Sequence, residues 1–197
     1  MVSRSSLPSS PSDPAQGTAP SAAGLEVLLD RETIARRVAE MGEEISRDFE
    51  GQGLLLVGVL KGAAVFLADL ARSLSVDATF DFLAVSSYGG GSKSGGAVRV
   101  IKDLDRPIGG KNVILVEDIL DTGLTLQFLC KLLRQHEPKT LKIATCLDKP
   151  QRRLKRVEAD YVGFRIPNRF VVGYGMDYGE RYRNLPDICT LSSADQE

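Results

Sequence analysis

The sequence predicts an α/β fold: a mostly parallel central sheet flanked by helices, with a small C-terminal hood. Three observations lead there. Leu54–Leu60 (LLLVGVL), Val113–Val116 and Leu141–Leu147 (LKIATCL) are short, strongly apolar runs, as expected of strands buried on both faces. The first two lead through Gly-containing turns into stretches of helical period, and the alternation of strand and helix signals is that of parallel βαβ units. With 197 residues, 43% hydrophobic and 26% charged, one domain with an ordinary core is the natural expectation.

In chain order, residues 1–24 are mostly Ser, Pro, Ala and Gly. Such a stretch buries too little apolar surface to offset its ordering entropy and is expected to be a disordered tail. Asp30 can cap a helix from Arg31 to about Phe49, with Ile34, Val38, Met41, Ile45 and Phe49 as its apolar stripe. The strand Leu54–Leu60 ends in Lys61-Gly62, before a helix carrying Phe66, Leu67, Leu70 and Leu74. A lysine beside a helix N-terminus suits an anion, diphosphate in particular. It is equally a surface lysine with its stem laid along apolar surface. Ala78–Ser86 alternates, so it reads as a strand. Ser87-Tyr88 then opens a Gly- and Ser-rich loop to Gly96, and Val98–Ile101 returns as a strand. That loop is either a plain hairpin connection or a mobile lid.

The chain is organised around Asn112–Thr125, NVILVEDILDTGLT. A buried strand delivers two adjacent carboxylates, Glu117 and Asp118, to an expected tight loop over Asp118–Gly123. Leu126, Leu129, Cys130 and Leu133 then follow at i, i+3, i+4 and i+7. Thr122, Gly123, Leu124 and Thr125 would present N–H groups and hydroxyls at a helix N-terminus, a ready anion cup. Carboxylates beside a phosphate cup would repel it unless they hold ribose hydroxyls or Mg²⁺. The competing reading is a capping Asp in a solvated acidic turn. Because neighbours on a strand point opposite ways, only one of Glu117 and Asp118 should face a ligand fully.

Downstream, Leu141–Leu147 delivers Asp148-Lys149-Pro150. The basic run Arg152, Arg153, Lys155 and Arg156 reads as a solvated loop. Asp160–Pro167 and Asn168–Asp177 are short strand-like pieces, forming a cap over the carboxyl edge of the sheet. Residues 189–197 are expected to be a C-terminal tail.

Composition narrows the function. A net charge of −1 and a pI near 6.0 argue against a surface built for nucleic acid. No apolar run approaches a bilayer span, so no membrane partner is expected. Cys130, Cys146 and Cys189 show neither metal-site nor CxxC spacing and read as reduced thiols of a cytoplasmic protein.

VILVEDILDTGLT resembles the signature of the type I phosphoribosyltransferases. With the other segments, the stretch from about Leu25 to Ile188 is similar to the bacterial-type hypoxanthine phosphoribosyltransferases of purine salvage. The resemblance implies the type I phosphoribosyltransferase fold with a hood mainly from 160–188. It implies transfer of phosphoribose from 5-phosphoribosyl 1-diphosphate to hypoxanthine, and to guanine, with Mg²⁺ as cofactor. It assigns Asp121 as general base on the purine. It places the diphosphosugar on Lys61, Gly62, Ser87, Tyr88, Asp118, Thr122, Gly123, Leu124, Thr125 and Arg183, with a non-proline cis bond often preceding Lys61. The purine falls to Lys149, Phe170, Val171 and Asp177, and metal to Glu117, Asp118 and Asp177. Ser87-Tyr88 corresponds to the family's catalytic lid, and a homodimer or homotetramer is the usual assembly. Two departures stand out. Leu124 occupies a position that is Lys in some relatives, and Ala84 and Ser86 occupy positions that are basic in animal enzymes. Alternatives are a guanine or xanthine preference, or a nucleotide-sensing regulator on the same fold.

Overall fold

A computed structural model describes residues 24–88 and 97–191. The expected tail over 1–23 and the heart of the expected lid, 89–96, lie outside the described residues. The main sheet has six strands in the order β4-β3-β2-β5-β6-β7. These are β2 (Leu54–Leu60), β3 (Ala78–Tyr88), β4 (Ala97–Lys102), β5 (Asn112–Leu120), β6 (Thr140–Asp148) and β7 (Tyr161–Arg165). All neighbours are parallel except β3 and β4. The helices are α1 (Arg31–Asp48), α2 (Ala64–Ser73) and α3 (Leu124–Arg134).

Strand alternation divides the core between the two faces of this sheet. Leu54, Leu56, Ile114 and Val116 pack with α1 and α2 through Met41, Ile45, Phe66 and Leu70. Leu55, Val57, Val113 and Leu115 pack with α3 through Leu126, Leu129 and Leu133. Both central strands are thus covered on both faces, which is why they read as unbroken apolar runs. The helix α1 begins as expected: the Asp30 carboxylate accepts from Thr33 N at 2.7 Å, a cap of about 1 kcal/mol.

From the adjacent pair β2–β5, the chain continues outward in opposite directions: through α2 to β3, and through α3 to β6. The carboxyl ends of β2 and β5 therefore flank a topological switch point, where ligands bind in open α/β sheets.

Several boundaries differ from expectation. β5 continues through Glu117 and Asp118 to Leu120, leaving only Asp121–Gly123 as the turn. Its ladder to β6, with Ile119 opposite Leu147 and Leu120 opposite Asp148, extends the strand past the two acids. Ser87 and Tyr88 lie on β3, opposite Val98 and Ala97 of β4, rather than in a loop. β7 joins the main sheet beside β6 and is not part of the hood. The hood is a separate antiparallel sheet, β1-β9-β8, built from β1 (Leu25–Leu29), β8 (Val171–Val172) and β9 (Ile188–Leu191). Cys189, Thr190 and Leu191, expected in a tail, are buried in β9. Pairing of Leu25 with Leu191 brings the two ends of the described chain together. No local pattern in a five-residue segment announces so distant a partner.

Candidate active site

A cavity of about 770 Å³ lies between the carboxyl edge of the main sheet and the hood. Asp118, Asp121, Lys149, Phe170, Val171 and Asp177 all line it. Six residues expected to form one site, spread over 60 positions of sequence, are thus gathered around one cavity.

The end of β5 supplies the acids. By strand alternation, Asp118 continues the face of Ile114 and Val116, toward α2, while Glu117 continues the face of Val113 and Leu115, toward α3. Asp118 lines the cavity and Glu117 does not. Burial pushes the Asp118 carboxyl up to about 6, against the opposing effect of a 2.8 Å hydrogen bond from Ile119 N. Burial, then the neighbouring Asp118, pushes Glu117 well above the ordinary carboxylate range, and its Oε2 is buried without a hydrogen-bond partner. Arg183 offsets part of the cost at Asp118, but no cation among the described residues is one of the groups that act on Glu117. Among the described residues, no three His, Cys, Asp or Glu side chains gather into a group that could hold a metal alone. Asp177, expected with them, is engaged by Arg183 Nη2 at 2.8 Å. This donor set suits Mg²⁺ of the kind that takes one or two carboxylates and completes its shell from water and phosphate oxygens.

The turn after β2 faces the same crevice. The Leu60–Lys61 peptide bond is cis. A Cβ built on Gly62 would overlap the Asp118 carboxylate, and one on Gly175 of the hood would overlap the Gly62 carbonyl oxygen. Only glycines let the β5 acid, the β2 turn and the hood meet this closely. Lys61 Nζ pairs with Glu180 Oε2 at 2.8 Å. Arg183 stands 3.5 Å from the same oxygen and donates from Nη1 to Gly175 O at 2.8 Å. The two cations expected to take diphosphate thus converge on one exposed hood carboxylate. Neither lines the cavity itself.

The turn after β5 leads into α3 with Gly123 left-handed at φ 81° and no side-chain cap on the helix. The first turn of α3 therefore presents amides that no side chain caps, apart from a long 3.4 Å contact from Leu124 N to Thr122 Oγ1. This is the geometry of an anion cup. Thr122 to Thr125 form its rim beside the cavity, not its lining.

On the base-facing side, Lys149 is 5% exposed and desolvation lowers its ammonium below the usual lysine range. Phe170 is 42% exposed and meets Tyr178 edge-on, with ring centroids 5.6 Å apart. An aromatic face left open beside a cavity is suited to stacking. Val171 is buried and pairs with Thr190 through β8 and β9.

The lining also includes residues not expected from sequence. Ile119 follows directly from the extension of β5, while Glu26, Thr190 and Leu191 arrive through the hood pairing. Arg152, expected on a solvated loop, sits with Nε 3.1 Å from Asp121 Oδ1, an ionic contact poorly aligned for a hydrogen bond. Arg153, from the same run, has a side chain only 18% exposed.

Comparison with known proteins agrees with this geometry. The family model described as phosphoribosyl transferase domain matches residues 24–179. The hypoxanthine-guanine phosphoribosyltransferase of Mycobacterium tuberculosis is 52% identical over 171 residues, covering 84% of this chain and 85% of that protein. Its namesake in Bacillus subtilis is 47% identical over 169 residues, covering 86% and 94%. Among solved structures, a hypoxanthine phosphoribosyltransferase from Staphylococcus aureus superposes with a TM-score of 0.87 at 45% identity, covering 92% of this chain and 100% of that one. One from Bacillus anthracis, a hypoxanthine-guanine phosphoribosyltransferase with HEPES in its active site, gives 0.82 at 49%, covering 85% and 98%. An acidic strand end, two Gly-bearing turns at one switch point and these similarities together place the chain in the phosphoribosyltransferase family, among its hypoxanthine-guanine phosphoribosyltransferases.

Proposed function

We propose that the protein transfers the phosphoribosyl group of 5-phosphoribosyl 1-diphosphate to hypoxanthine and to guanine, giving IMP or GMP and diphosphate. The observation that carries this reading is the convergence of Asp118, Asp121, Lys149, Phe170 and Asp177 on one cavity of about 770 Å³ at the switch point of the sheet. The cavity is large enough for a small-molecule substrate.

The 5-phosphate rests on the uncapped amides of Thr122 to Thr125, where helix N-terminal partial charge favours an anion. Asp118 holds the ribose. As the bond from the anomeric carbon to diphosphate breaks, the electron pair leaves with diphosphate and positive charge grows on the ribose. Negative charge on the acidic strand end, placed before the reaction, stabilises that charge as it forms. Lys61 and Arg183 receive the diphosphate once they part from Glu180. Asp118, with Glu117 and Asp177 behind it, would hold Mg²⁺, which would supply charge neutralisation for the leaving group. The imidazole-ring nitrogen of the purine bonds to the anomeric carbon as Asp121 takes its proton, a role worth on the order of 10²–10⁴ in rate. Phe170 stacks on the base and Val171 meets it through its backbone. Lys149 donates to the six-position oxygen. Adenine offers an amine there, so a buried donor would face a donor and adenine is rejected. Ser87 and Tyr88, at the end of β3, mark where a lid would begin, and closure would exclude water from the charged intermediate.

The test is turnover by purified protein with phosphoribosyl diphosphate, Mg²⁺ and each of hypoxanthine, guanine, xanthine and adenine. Hypoxanthine and guanine should react and adenine should not. No product from either 6-oxopurine overturns the reading. We infer a cytoplasmic homodimer or homotetramer, and a monomeric mass in solution would overturn the assembly.

A further inference from the structure

Arg152, Lys155 and Arg156 of the basic run after β6 are exposed, as a solvated loop would have them, but Arg153 is not. The run wraps the turn that carries Asp121. Lys149 N donates to Leu120 O at 2.9 Å, and Leu154 N and Lys155 N both donate to Thr122 O, at 2.9 and 3.1 Å. Arg153 is the centre of this wrap. Its Nη1 donates to Leu120 O at 3.1 Å and to Asp121 O, while its Nη2 donates to Asp148 Oδ1. The Asp148 side chain is itself only 10% exposed. A Cβ on Gly123 would lie 3.3 Å from Arg153 Cδ, so the stem packs under the same turn.

We infer that Arg153 is a positioning residue for catalysis, because its guanidinium fixes the backbone of Asp121 to the end of β6. The inference rests on the proposed function, in which the Asp121 carboxylate is the base. Asp121 follows the last residue of β5, so its carbonyl is beyond the β5–β6 ladder. A planar guanidinium can hold two carbonyl oxygens with one nitrogen and a carboxylate with another, in fixed relation. An ammonium donates all its protons from one nitrogen, so it cannot meet from one position the acceptors that Arg153 reaches with two separate nitrogens. The side chain of Asp121 is only 31% exposed and swings with that carbonyl. A shift of about 1 Å at the base is enough to cost about 10²-fold in rate. Arg153 itself does not line the cavity, so it acts through Asp121 and not on the purine.

A double-mutant cycle tests this in the full-length protein. Arg153→Lys should lower hypoxanthine turnover at least tenfold when Asp121 is present. In the Asp121→Asn background, where there is no base left to position, the same change should lower turnover less than twofold. A residue that merely supports the fold would give the same fold-loss in both backgrounds, and that result overturns the inference. So does an Arg153→Lys enzyme within twofold of wild type. If the lysine variant does not fold, Asp148→Asn carries the same cycle: it keeps the shape of the anchor, loses its charge, and should be non-additive with Asp121→Asn in the same sense. Wild-type protein that turns over no 6-oxopurine at all overturns the proposed function and this inference with it, whereas an active wild type with additive losses overturns the inference alone.

Discussion

Replacing Asp118 by Asn should make the free protein more stable while disabling it. The carboxyl is pushed from 3.8 to about 6, chiefly by burial, and each pH unit of such a difference corresponds to about 1.4 kcal/mol. At pH 8 the ionised group therefore costs the fold on the order of 3 kcal/mol. Asparagine keeps an oxygen to accept from Ile119 N, now at 2.8 Å, and removes the charge. Its amide group must find a partner beside Gly62, which offsets about 1–2 kcal/mol of the gain. A net gain of about 1–2 kcal/mol, at about 2–4 °C per kcal/mol for a domain of this size, raises Tm by roughly 2–8 °C. The pH dependence has a definite sign. Between about pH 4 and 6 the unfolded chain has lost this proton and the folded chain retains it, so wild-type stability falls as pH rises through that window. Below about pH 4 both states are protonated and the advantage of the amide disappears. Thermal melts of both proteins at pH 4, 6 and 8, without ligands, measure it. An Asn variant no more stable than wild type at pH 8, or an advantage independent of pH, would refute the reasoning. The same variant should lose most of its turnover.

Three further outcomes are expected. Asp121→Asn should lower kcat at least tenfold and leave the dissociation constant of phosphoribosyl diphosphate within about threefold, measured by calorimetry; unchanged kcat removes Asp121 from the role of base. Lys149→Met should raise the KM for hypoxanthine by about 10–100-fold, the value of a charged hydrogen bond, with a smaller effect on the KM of the diphosphosugar in steady-state kinetics. Gly62→Ala forces a Cβ into the Asp118 carboxylate, so phosphoribosyl diphosphate binding should weaken at least tenfold by calorimetry, while circular dichroism shows the fold intact.

The stability cost at Asp118 and the function proposed for it have one origin. A strand end that holds two carboxyls away from water, one with an orphaned oxygen, is unfavourable in the free fold, and a bound cation would offset that cost. That is the pattern expected where a site is organised for its ligand at the expense of the free fold.

Much of this was legible in the chain itself. The apolar runs at Leu54–Leu60 and Val113–Val116 specified buried parallel strands, because only a strand covered on both faces has no polar side. The spacing of Leu126, Leu129, Cys130 and Leu133 specified α3, because helical period needs no knowledge of the partner. The glycines after two of the strands specified turns able to meet anions, since backbone N–H groups and left-handed conformations are local properties, although the acids Glu117 and Asp118 proved to lie on β5 itself. Tertiary structure alone decided the rest. It chose Asp118 over Glu117 for the cavity, because the hood covers the sheet end on the side to which strand alternation turns Asp118. It joined Leu25–Leu29 to Ile188–Leu191 across more than 150 residues, a pairing whose hydrogen bonds are made by backbone and so leave little trace in side-chain type. It also drew Arg153 out of an otherwise exposed charge run and under the Asp121 turn. A guanidinium reaches its acceptors in space, and no spacing along the chain records which carbonyls will be there.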